Sequence, residues 1–216
     1  MPLNLKKFLE LVISVIVLLS LMLQFSIMLQ SPANKDKLDT TIRFFSYFTI
    51  LSNTLVLICF MNLLLKSESA GNFWNRAETV TAVTVYISVV GIVYHAVLSQ
   101  LHHPVGLAFW ADHGLHSFSP LLVVFYWTFF TSKRPVKYAT IPYWLIYPAV
   151  YFLYTVIRGN LSGFYPYPFL DLNKISFLQA LGNCFIVLLI FTTLSLSLSF
   201  IANKRFQFLN MHSNDQ

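Results

Sequence analysis

Six apolar stretches, at 8–29, 42–65, 80–98, 116–130, 138–157 and 176–201, dominate this chain, and most are long enough to cross a bilayer. A helix rises about 1.5 Å per residue, so roughly 20 apolar residues cover the hydrocarbon layer. The fourth stretch is short. Its polar approach and Pro120 suit a helix that starts in a lined cavity rather than in lipid. Lys6 and Lys7 ahead of the first stretch suggest a secretory signal. The run is too long for that, however, and no small-residue cleavage site follows, so a retained helix is expected. The pattern predicts an all-α integral membrane protein: one six-helix transmembrane domain over 1–216, with no soluble domain and no internal repeat.

Charge content supports this reading. Only 10% of the 216 residues are charged, against about 25% in soluble domains. That is too little polar surface to cover a particle in water. The net charge is +6. Its Lys and Arg form short clusters between apolar runs, not a basic face interleaved with aromatics, which argues against nucleic acid and for anchoring at the membrane surface. Nine of the 14 lie on the side that holds both termini: Lys6, Lys7, Lys66, Arg76, Lys133, Arg134, Lys137, Lys204 and Arg205. Five lie on the other: Lys35, Lys37, Arg43, Arg158 and Lys174. The positive-inside rule therefore places both termini in the cytoplasm. Cys59 and Cys184 fall inside apolar runs with no ligand spacing, and read as buried small hydrophobes.

The polar chemistry gathers at the non-cytoplasmic end. In "RFFSYFTILSNTLV", Ser46, Thr49, Ser52 and Asn53 recur at intervals of three and four, so they share a face if one helix runs through them. That helix would place Thr49 roughly 10 Å below its start. Such hydroxyls commonly back-bond to their own helix or hold neighbouring helices together. In "WADHGLHSFSPLL", His113 and His116 are three residues apart on one face, at the depth of Thr49. Imidazoles are costly in hydrocarbon, and a histidine is the usual base for a hydroxyl nucleophile. A rival reading takes His95, His102, His103, Asp112, His113 and His116 as zinc donors, although no fixed ligand spacing appears. Haem would need histidines deeper in the bilayer. No metal or cofactor is expected. Tyr94, His95 and Tyr151 serve either as an interfacial belt or as substrate contacts, and Arg158 either snorkels or holds an anionic head group.

Three motifs, "YFTILSN", "DHGLHSFSPLL" and "YPYPFLD", appear in this order along nearly the whole chain. Together they resemble the androgen-inducible membrane protein family, which also has bacterial relatives. Animal members of that family are atypical threonine hydrolases that cleave fatty acid esters of hydroxy fatty acids. The resemblance implies that Thr49 is the nucleophile, His116 the catalytic base and His113 a supporting residue. Ser52 stands where the family carries an acidic residue, and Asp112 where it carries asparagine. The expected function is hydrolysis of a lipid ester in the membrane. Asp112 would orient a histidine, and Asn53 would serve as an oxyanion donor. The alternative is a non-enzymatic lipid-binding sensor or transporter, which needs only a cavity and a cation such as Arg158.

Overall fold

The computed structural model describes residues 4–32, 36–65, 73–101, 103–131 and 134–213. These residues are helical throughout, apart from turns and short connections, and contain no strand. The helices are α1 (Leu5–Gln30), α2 (Lys37–Phe44), α3 (Phe48–Leu65), α4 (Ala77–Val93), α5 (Leu107–His113), α6 (Ser119–Phe130), α7 (Ile141–Ser162) and α8 (Phe177–Ser213). Five segments are long and apolar enough to cross a membrane: Leu5–Gln30, Phe48–Leu65, Ala77–Leu98, Tyr138–Ser162 and Phe177–Leu209. The fourth expected run is present as α5 and α6, joined without a break through a π-helical turn at Gly114–Phe118. Lys35, Lys66, His102 and Lys133 lie outside the described residues.

The second expected run differs from the continuous helix over 42–65. The chain stops at Phe44, turns through 45–47, and starts again at Phe48. The amide hydrogens of Ser46 and Tyr47 reach back only three residues, to Arg43 and Phe44. Ser46 Oγ donates to the Ile42 carbonyl at 2.6 Å. A hydroxyl that supplies this bond itself competes with helix continuation, and the helix ends in a tightened turn. Thr49 therefore sits in the first turn of α3, not two turns inside a longer helix.

Contacts divide the chain into two compact units, 1–135 and 136–216, a division that nothing in the apolar pattern announces. In the first unit α1 packs on α3, α3 on α4, α4 on α6, and α6 on α1. This closes a ring of four helices in which α3 and the α5–α6 helix stand at opposite corners. Close approach on one side is set by Gly114, where a Cβ would overlap Ser20 of α1. In the second unit α7 packs on α8. The Asn203 side chain brackets Val136, accepting from its amide at 2.7 Å and donating to its carbonyl at 2.9 Å. Helix α7 ends at Gly163, whose φ of 71° is one that residues with a Cβ avoid.

Glu10 is the one acidic residue inside the first apolar run, and it is buried at the end of the bundle where α1 begins. Two side chains pair with it. Lys7 Nζ lies 2.9 Å from Oε2, and Tyr126 donates to Oε1 at 2.7 Å. The same Lys7 nitrogen donates to the Leu63 carbonyl at the end of α3. One charged cluster thus ties α1, α3 and α6. A buried carboxylate that loses a donor keeps its desolvation cost. Tyr126→Phe should therefore lower stability by about 1–3 kcal/mol, read as an earlier unfolding midpoint in detergent micelles. An unchanged midpoint would show that the cluster holds nothing together.

Candidate active site

Pro120 explains the local backbone at the site. Its ring removes an amide hydrogen and crowds the carbonyl four residues earlier, which belongs to His116. The chain relieves this with a wider turn, Gly114–Phe118, closed by the Ser119 amide donating to the Gly114 carbonyl. A second π-helical turn, Tyr94–Leu98, continues α4. A Cβ on Gly91 of α4 would crowd Pro120 and the His116 carbonyl, so the two elements approach closely here. Such turns recur at functional sites because the extra residue re-aims side chains.

Thr49 Oγ1 lies 3.3 Å from His116 Nε2. The other imidazole nitrogen, Nδ1, lies 2.9 Å from the Asp112 carbonyl oxygen and 3.2 Å from Asp112 Oδ1. A backbone carbonyl can only accept, and so can an ionised carboxylate. Nδ1 therefore carries a hydrogen, and Nε2 is the nitrogen that faces Thr49. With hydrogen on Nδ1 alone, Nε2 can accept from the Thr49 hydroxyl. Thr49 is 6% exposed, and the His116 side chain is 15% exposed. The pair is shielded but reaches the molecular surface through the imidazole.

The remaining candidates fall in different places. Asn53 is fully buried and donates to the carbonyls of Thr49 at 2.9 Å and Leu115 at 3.2 Å. Both its amide hydrogens thus go to backbone oxygens, and it clamps α3 to the π turn rather than presenting a donor beside Thr49 Oγ1. Ser52 is buried three residues beyond Thr49. The His113 ring stands edge-on to Phe109 at 4.1 Å, with its Nδ1 3.9 Å from Asp112 Oδ2. His95 Nε2 pairs with Ser117 Oγ at 3.0 Å on the outer side. Tyr94 is buried, donates to Asp112 Oδ2 and stacks on His116. Tyr151 and Arg158 belong to the second unit, where Tyr151 is buried and the Arg158 guanidinium lies 4.9 Å from the Phe164 ring centroid. His103 is exposed. Among the described residues, no three His, Cys, Asp or Glu side chains converge as a metal-holding group.

The sequence reading missed the joint hold of Tyr94 on Asp112 and His116. The dipeptide "YH" at the end of the third run was the available signal, because it sets an aromatic donor at the histidine-rich end. Comparison with protein-family models, with curated proteins and with solved structures found no match.

Glycine packing beside the site generates a paired test. Gly114→Ala should cost about 1–3 kcal/mol, because its methyl overlaps Ser20 and drives apart α1 and the turn that carries His116. Gly182→Ala in α8 meets open space, and should be neutral or stabilising by up to roughly 1 kcal/mol. Unfolding midpoints in micelles compare the two. Equal midpoints would show that the approach at Gly114 is slack.

Proposed function

We propose that this chain is an integral membrane ester hydrolase with Thr49 as nucleophile and His116 as base, related to the androgen-inducible membrane protein family. The observation that carries the reading is the Thr49–His116–Asp112 chain of contacts, with one imidazole nitrogen held as donor and the other turned to a hydroxyl. The α5–α6 helix is taken as a sixth crossing, with both termini in the cytoplasm and the site toward the opposite face. The motif resemblance and the distribution of Lys and Arg support these further assignments.

The chemistry follows from the geometry. Thr49 Oγ1 attacks the carbonyl carbon of a lipid ester as its proton passes to His116 Nε2. The negative charge on the tetrahedral oxygen forms beside the N-terminal end of α3, where the helix dipole favours an anion. Collapse breaks the ester C–O bond, and His116 returns its proton to the departing hydroxyl oxygen. The acyl group is left on Thr49. Water then attacks that acyl carbon while His116 accepts its proton, and the proton returns to Thr49 Oγ1 as the fatty acid leaves. Asp112 holds the ring and stabilises the imidazolium without taking the proton. A substrate of this kind, long, apolar and ester-linked, would enter sideways from the outer leaflet. Fatty acid esters of hydroxy fatty acids have that chemistry. No nucleic acid and no cofactor enters the scheme.

The test is hydrolysis of such an ester by the purified chain in micelles. His116→Ala should lower the rate by about 10²–10⁴-fold and Thr49→Ala should abolish acyl transfer, with folding retained in both. Chelator and added zinc should change neither the wild-type rate nor the variants' ranking. Ester binding without turnover, equal in all three proteins, would favour the lipid-binding alternative. Loss of turnover on chelation with His116→Ala still active would hand the site to a metal.

A further inference from the structure

We propose that Tyr94 is a positioning residue that sets both the carboxylate and the imidazole of the site at once. The inference rests on the hydrolase reading for its catalytic consequence, but the geometry it invokes has its own readout. Tyr94 begins the π-helical turn of α4 and is 2% exposed. Its hydroxyl donates to Asp112 Oδ2. Its ring lies against the His116 ring, with centroids 4.1 Å apart and planes 14° from parallel.

These two contacts have different effects. The Asp112 carboxylate is free to rotate about its last bond unless both oxygens are engaged. Tyr94 takes Oδ2, so Oδ1 stays turned toward His116 Nδ1 at 3.2 Å. The stacked face blocks rotation of the imidazole about its own terminal bond, whose well is otherwise broad. Nε2 is thereby kept on the Thr49 side. A tyrosine that contacted an acyl chain would show the chain its ring or its hydroxyl. Here the hydroxyl is engaged by Asp112, one face is covered by His116, and almost no surface is left. His95 stands edge-on to the same ring at 5.0 Å, and shields it further.

The experiment uses the full chain in micelles with nitrogen-15 labelled histidine. The His116 signals are identified by their loss in His116→Ala. In the wild type His116 should show the tautomer with hydrogen on Nδ1. Tyr94→Phe keeps the stack and removes the hydroxyl; Nδ1 then keeps the Asp112 carbonyl as its one fixed acceptor, and the share of the tautomer with hydrogen on Nε2 should rise. Tyr94→Leu removes both contacts and should raise it further. In ester hydrolysis, Tyr94→Phe should lower kcat by about 10–100-fold with KM unchanged. A tautomer balance identical in all three proteins would overturn the proposal. So would a raised KM at unchanged kcat, which marks a substrate contact. Helical circular dichroism and the unfolding midpoint confirm that each variant folds. If the wild type hydrolyses no ester while the tautomer balance still shifts in Tyr94→Phe, the positioning role stands and the hydrolase reading fails. If Thr49→Ala abolishes hydrolysis while Tyr94→Phe matches the wild type in rate and tautomer, the reverse holds.

Discussion

Asp112 offers two acceptors, its backbone carbonyl and Oδ1, to one nitrogen of His116. Neither acceptor can donate in return, so the imidazole has a single way to place its hydrogen and a single nitrogen left for Thr49. The rest of the site follows from that constraint. Asn53 fixes the helix that carries Thr49 to the turn that carries His116, Gly114 lets that turn lie against α1, and Pro120 provides the reason for the turn. Each is a backbone-level feature that serves the orientation of one ring.

The two ends of the first unit solve the same problem in different ways. At one end, polar groups are arranged in series, with Nε2 of His116 turned to the Thr49 hydroxyl. At the other, Glu10, Lys7 and Tyr126 satisfy one another and tie α1 to α3 and α6. Buried charge is tolerable in an apolar bundle only when its partners are supplied. Lys7 and Tyr126 supply the partners of Glu10, whereas at the other end the His116 imidazole faces the Thr49 hydroxyl across 3.3 Å.

Much of this was legible in the sequence, and the failures have physical causes. Apolar run length located the helices, because the cost of exposing backbone to lipid depends on length and composition. The approach of Thr49 to His116 was also expected, from the motif resemblance and from helical spacing, although the expected depth assumed one continuous helix. The break at 45–47 was not, because hydropathy does not register a serine that bonds the carbonyl four residues earlier. That break changed the position of Thr49 from mid-helix to first turn. Asn53 illustrates a further limit: its place on the same face as Thr49 was readable, whereas the direction of its amide depended on two carbonyls from different elements. The "YH" dipeptide marked an aromatic donor beside a histidine, but aiming Tyr94 at Asp112 required knowing that α4 ends in a wider turn. Glu10 needed only attention to a lone acid in an apolar run.

The central claim is that Thr49 is a nucleophile activated by an oriented His116. It is tested most directly by treating the chain with a fluorophosphonate bearing an alkyl chain and locating the adduct by peptide mass spectrometry. The account predicts one phosphonylated residue, Thr49, with labelling lost in Thr49→Ala and strongly slowed in His116→Ala. A wild-type chain that takes no label, or one labelled at another hydroxyl such as Ser117 with Thr49 unmodified, would contradict it.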